Sequence, residues 1–241
     1  MQRLARAEVQ RLTERVPDLL RVMETVLGSV FDEQGYQWSE RKLRVGAAMS
    51  AIRLAPVAGA QSPPAPPRAH ASSWLVPILH GSGLLLGQRV AAMRLWPHAF
   101  SLEDGTRNLD HLGVAYTQPP VFDPRRRLFE WDGDRWEINF FGHGLMGSEL
   151  YLRARQCQHG FAASLAFTAA GSVLWEYGVE VWNSRPSVND LIWTPLGGAL
   201  IGELRFVTWE LAASLSPTAR GIVRAVVDPF GELERALGTP C

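Results

Sequence analysis

Between Trp131 and Glu203 the chain sets ionisable and aromatic side chains inside sequence that is otherwise apolar and helical in its spacing. The stretch opens with WDGDRWEINFFGHGLMGSELYLRAR, passes through an apolar run that closes on WEYGVE, and ends with PSVNDLIWTPLGGALIGE. A carboxylate or imidazole buried without a partner costs several kcal/mol. His143, Glu176, Glu180, Asp190 and Glu203 are therefore expected to meet one another in a polar cluster between helices rather than point singly into hydrocarbon.

The spacing predicts three central helices, over 139–157, 160–182 and 187–213. In the first, His143, Gly147 and Tyr151 recur at i, i+4 and i+8 and share a face. The second has no charged residue between Phe161 and Trp175, a run short of the roughly twenty residues that cross a bilayer. Glu176 and Glu180, four apart, lie on one face of its end. The third begins after Pro186 with Ser187 and Asp190 in S-x-x-D spacing, which reads as a capping box and by itself accounts for the charge of Asp190. Gly198 and Gly202 form a small-xxx-small step that admits a close neighbour, and Pro195 predicts a kink. Shorter helices are expected after Ser216 and after Asp228-Pro229. Ahead of the three, residues 84–96 read as helical, with Pro77, Gly81 and Gly83 breaking the start, and 96–134, rich in Pro, Gly and Asp, reads as a long loop. No alternating strand pattern and no repeat is present. The expectation is an all-α bundle of about six helices.

Residues 1–70 are a different text. Leu4, Val9, Leu12, Val16, Leu19, Leu20, Met23 and Leu27 describe an amphipathic helix. Arg41, Lys42 and Arg44 then precede VGAAMSAIRLAPVAGA and the Pro-rich QSPPAPPRAH, the parts of a secretory signal interrupted by Arg53 and displaced from Met1. The expected division is a mobile 1–70 extension, not packed into the core, and a helical domain over 71–241. Formal net charge is zero, so nucleic-acid binding lacks an electrostatic footprint beyond Arg125 to Arg127. Nine tryptophans allow a membrane-interface belt as well as ordinary core packing. Cys157 and Cys241 match no CxxC pattern and read as two unrelated thiols; a bridge between them would need an oxidising compartment.

For chemistry, His143 stands out as the one histidine of six on an apolar, glycine-containing helix face. As a general base it would be tuned by Glu176, Glu180 or Asp190; otherwise it is a core histidine satisfied by neighbours. The same groups offer oxygen and nitrogen donors to a divalent ion. No H-E-x-x-H or E-x-x-H is spelled out, however, and neither metal nor cofactor is expected. Asn139, Tyr151, Arg155 and Glu203 are candidate binding residues. Glu203 with Arg205 reads as one ion pair, and Arg153 with Arg155 as partners for carboxylates. Ser148 and Ser187 lack a nucleophile elbow, and Gly142, Gly144 and Gly147 form no phosphate loop.

The blocks NFFGHGLMGS at 139–148, RAR at 153–155, WEYGVE at 175–180, PSVNDLIWTP at 186–195 and GALIGE at 198–203, with Asp228-Pro229, resemble a bacterial family of predicted envelope proteins, domain of unknown function 3943. The resemblance covers roughly 128–235; Gly144 departs from it, since the family usually carries proline after the histidine. In outline the His, Glu and S-x-x-D helices are also similar to VanZ-like membrane proteins. The resemblance implies a cell-envelope location, periplasmic or membrane-associated, and a shared polar cluster, with membrane or lipid as partner. It implies no known activity. Two functions are thus expected to compete: a structural or lipid- or ion-binding envelope protein, and a hydrolase or transferase acting on a lipid or lipid-linked substrate with His143 as base.

Overall fold

The computed structural model describes residues 73–238 and 241. The expected amphipathic helix, signal-like segment and Pro-rich linker lie outside the described residues. Within them every regular element is helical, and an isolated bridge between Val121 and Ser187 is the one extended pairing. The helices are α1 (Leu75–Leu95), α2 (Pro97–Phe100), α3 (Gly105–Thr117), α4 (Gly144–Gln156), α5 (Phe161–Leu174), α6 (Val188–Leu211), α7 (Pro217–Val227) and α8 (Pro229–Ala236). A π-helical turn, Ile138–His143, leads into α4, and another, Trp175–Glu180, extends α5.

Glycine sets the central contact. A Cβ on Gly147 would strike the Thr194 carbonyl, one on Gly198 would lie 2.5 Å from the Gly147 carbonyl carbon, and one on Gly202 would lie 2.7 Å from the Tyr151 ring. Backbone therefore meets backbone where α4 crosses α6, as the small-residue step predicts. The face of α4 that carries His143, Gly147 and Tyr151 is the face turned to α6. Around this contact the apolar core is modest: Leu85, Met146 and Trp175 cluster, flanked by Leu84 and Val179. Much of the remaining interior is polar.

Two elements differ from the sequence reading. The loop expected over 96–134 is narrower, because Asp104 caps α3 by accepting the Arg107 N–H at 3.0 Å. Only Asn108 and Ala115 of that helix are buried. Helix α1 starts at Leu75 and continues through Gly81, which is held against Leu150 and Phe167; packing there overrides glycine's weak helix preference. Helix α6, in contrast, runs through Pro195 over Val188–Leu211, close to the span expected of it.

Cys157 and Cys241 are joined in a disulfide with Cα atoms 4.8 Å apart, which corrects the expectation of two unrelated thiols. Their separation of 84 residues carries no pairing signal in sequence; the fold brings the C-terminus back to the end of α4.

Candidate functional site: a buried acidic cluster with one histidine

His143 ends the π-turn before α4, Glu176 and Glu180 lie in the π-turn after α5, and Asp190 occupies the first turn of α6. One donor atom from each of His143, Glu176 and Asp190 falls within 4.8 Å of the others. Exposure is 8% for His143, 2% for Glu176 and 3% for Asp190. A π-turn adds one residue per turn and shifts side chains off the regular α register, a distortion that recurs at functional sites. Here both π-turns end on the cluster.

Helix capping explains why Asp190 is free to join it. Ser187 caps α6, its hydroxyl accepting the Asp190 N–H at 3.3 Å. In a closed capping box the Asp190 carboxylate would accept the Ser187 N–H in return. Instead Glu176 Oε2 accepts that N–H at 2.7 Å. The Asp190 carboxylate turns inward, with Oδ2 3.6 Å from His143 Nε2 and Oδ1 accepting from Asn189 at 3.2 Å. Capping alone therefore does not account for Asp190. His143 is fixed from its other nitrogen, Nδ1, which lies 3.1 Å from Thr194 Oγ1.

The loop between α3 and α4 crosses over these residues. Val121 N–H donates to the Pro186 carbonyl at 2.7 Å and Val188 N–H to the Val121 carbonyl at 3.1 Å. Asp132, which the sequence reading placed only in a loop, accepts from Ser187 Oγ at 2.6 Å and from Asn139 Nδ2 at 2.9 Å. The buried indole of Trp131 beside it is the signal that marks this loop as packed. Glu180 is half-buried, accepting from Trp175 Nε1 at 2.5 Å and Ser184 Oγ at 3.0 Å.

Among the described residues, no arginine forms an ion pair with Asp132, Glu176, Glu180 or Asp190; His143 beside Asp190 is the one basic group in contact. Arg89 feels the charge of Glu180 but gives its hydrogen bonds to Asn183 and the Phe100 carbonyl. The carboxyls respond accordingly. Burial, then the charges of Glu180 and Asp132, pushes Glu176 well above the usual carboxylate range, and burial with Glu176, Asp132 and Glu180 does the same to Asp190. Burial and the nearby aspartates raise Glu180 to about 7. Burial lowers His143 to about 4 against the pull of Asp132, so the imidazole is neutral near pH 7.

The remaining sequence candidates fall elsewhere. Asn139 is buried and joins the margin of the cluster through Asp132. Tyr151, Arg155 and Glu203 form their own group across α4 and α6: Glu203 accepts from the Tyr151 hydroxyl at 2.6 Å and from Arg155 Nε at 2.9 Å. The expected Glu203–Arg205 pair does not form. Residues two apart on a helix face different sides, and Arg205 pairs with Glu149 at 2.5 Å. His143 is not alone among the histidines either. His80, on α1, sits between Glu149 at 3.4 Å and Glu234 at 2.5 Å.

Residues 128–230 match the family model described as a domain of unknown function, DUF3943. The match spans the whole acidic cluster, Asp132 included, and begins beyond α1. No curated protein and no solved structure matches the chain.

Proposed function

We propose that this chain is an envelope-associated helical protein that binds rather than catalyses, lying against membrane lipid through one apolar face and holding its buried His/Glu/Asp cluster as an internal structural or ion-binding centre. One observation carries the reading. Helix α1 presents Leu75, Ile78, Leu79, Leu86, Val90 and Leu95 to the surface as exposed apolar side chains. With Phe230, Leu233 and Leu237 of the C-terminal segment it borders an open groove of about 750 Å³. Exposed apolar side chains gathered along one groove mark a surface that lies against apolar material. No described helix is long and apolar enough to cross a membrane, so the contact proposed is a face and not a span. The Cys157–Cys241 disulfide supports an oxidising compartment, as the envelope location requires.

Fractionation of tagged protein with amino-terminal sequencing, followed by flotation of the purified chain with phosphatidylethanolamine/phosphatidylglycerol vesicles, tests this. The wild type is expected in the envelope fraction and on the vesicles, and a double Ile78→Glu, Leu79→Glu variant in neither. A wild type that does not float, or a variant that floats equally, overturns the lipid contact.

A second reading is a hydrolase or transferase acting on a lipid or lipid-linked substrate. The neutral, oriented imidazole of His143 favours it, since such a ring can accept a proton. The burial of His143, Glu176 and Asp190 beneath the 118–135 loop counts against it, because substrate must reach the ring.

A further inference from the structure

We propose that His143 Nε2 and the carboxylates of Glu176 and Asp190 hold one divalent first-row transition-metal ion, of the zinc, manganese or ferrous class. The inference rests on the cluster being a binding centre and is independent of the lipid contact.

The first argument is an unanswered atom. Glu176 is 2% exposed, and while Oε2 takes the Ser187 N–H, Oε1 is buried with no hydrogen-bond partner. Asn139 Oδ1, at the margin of the cluster, is likewise buried and unpartnered. Buried polar atoms are nearly always satisfied, so each such atom needs a reason. An oxygen acceptor facing further acceptors is satisfied by a cation.

The second argument is geometry. Ligands on a tetrahedral ion with bonds of about 2.0–2.1 Å lie roughly 3.4 Å apart. His143 Nε2 and Asp190 Oδ2 lie 3.6 Å apart, too far for a hydrogen bond and close to that spacing. All three donor atoms lie within 4.8 Å of one another.

The third argument is the surrounding shell. Metal-bound histidines are held through the nitrogen that does not bind, and bound carboxylates are themselves hydrogen-bonded. Thr194 Oγ1 holds His143 Nδ1, the Ser187 N–H holds Glu176, and Asn189 Nδ2 holds Asp190. Asp132, accepting from Ser187 and Asn139, ties the loop down beside the centre. The class of ion follows from the donors. Calcium and magnesium take oxygen ligands throughout, whereas one imidazole with two carboxylates suits zinc, manganese or ferrous iron.

The test uses full-length protein with its affinity tag removed, stripped with EDTA and titrated with zinc, manganese, calcium or magnesium chloride by calorimetry and thermal unfolding, with metal content read by mass spectrometry. Wild type is expected to retain one equivalent of a transition metal and to unfold at higher temperature with zinc or manganese than with calcium or magnesium. Glu176→Gln and His143→Gln should each bind roughly 100-fold more weakly or worse. Thr194→Val keeps all three ligands and should weaken binding by roughly tenfold, which protects the test should a ligand variant fail to fold. A wild type that binds no equivalent, or binding equal in wild type and all variants, overturns the proposal. Vesicle flotation without metal binding would sink this inference alone, and metal binding without flotation would sink only the lipid contact.

Discussion

The molecule buries two polar regions and neutralises them in opposite ways. Around the C-terminal half of α4, every carboxylate meets a base: Arg153 reaches Asp228 at 3.3 Å and Glu234 at 3.2 Å, Arg205 reaches Glu149 at 2.5 Å, and Arg235 reaches Asp228 at 2.8 Å. Gln156 and the Gly231 N–H complete the lone pairs of Asp228, which is fully buried. At the N-terminal end of the same helix, Glu176, Glu180, Asp190 and Asp132 face one another across a neutral imidazole. Both regions are enclosed, so burial alone does not separate glue from site. The presence or absence of a matching positive charge does. The first region carries its own matching charge, and the second is neutralised only with protons or a cation supplied from outside.

The largest effect should come from removing the central base of the complete region. Arg153 is 1% exposed, and Arg153→Met would leave Asp228 and Glu149 buried beside fewer charges. A loss of about 3–5 kcal/mol is expected in urea unfolding, with any metal stoichiometry unchanged in the folded fraction. A loss below about 1 kcal/mol, the range of surface pairs, would mean the network is not glue and would dissolve the contrast.

Acid and base should act on the two regions with opposite sign. Burial pushes Glu149 up, but His80 and Arg205 outweigh it and hold the group down at about 2. Its folded pKa lies below its unfolded value, so its stabilisation is present above about pH 4.5 and is lost as pH falls toward 2, about 3 kcal/mol in all. Glu180 is the reverse case: raised to about 7, it is protonated in the folded chain at low pH, and stability falls as pH rises from about 4.5 through 7. Urea midpoints of metal-free protein between pH 3 and 8 should fall at both ends. Glu180→Gln should flatten the upper limb and leave the lower one; a variant that keeps the upper limb would remove Glu180 as its source.

Much of this contrast was legible in sequence, though not its sense. The three central helices, the Gly198/Gly202 step and the Ser187 cap follow from local spacing, and the convergence of His143, Glu176 and Asp190 follows from the cost of burying each alone. What sequence does not encode is which charge meets which. Glu203 and Arg205, neighbours in the chain, turn to different partners. Asp132 lies in a Pro/Gly-rich loop that looks solvated, and His80 lies where Gly81 and Gly83 look like a break in α1. In each case the decisive partner is 48 residues away or more.

A third prediction tests whether the close crossing of α4 and α6 is what assembles the acidic cluster. Gly147→Ala drives a Cβ into the Thr194 carbonyl, and backbone cannot yield as a side chain can. Overpacking of about 1–3 kcal/mol is expected. Because Thr194 also holds His143, transition-metal binding should fall along with stability. The Cys157–Cys241 disulfide, at the other end of α4, should form as in wild type by mass spectrometry under non-reducing conditions. A Gly147→Ala chain with wild-type stability and metal content would detach the crossing from the cluster.

The smallest expected change has the most informative sign. Asp190→Asn keeps the size of the side chain, leaves the backbone N–H that Ser187 caps, and removes one charge from a group of carboxylates that repel. In a self-neutralised region such a change is destabilising, because it strands a base; here no arginine is stranded. Metal-free Asp190→Asn should therefore be as stable as wild type or more so, by up to about 1 kcal/mol near pH 7, since about 1.4 kcal/mol is the energy of a single pKa unit and part of the strain is already relieved by bound protons. With zinc or manganese added the order should reverse, the wild type gaining stability from the ion and the variant gaining little. Thermal unfolding of both chains, stripped and loaded, reads all four states. If Asp190→Asn destabilises the stripped protein as strongly as Arg153→Met does, the cluster is glue like its counterpart, and the distinction drawn from the missing positive charge fails.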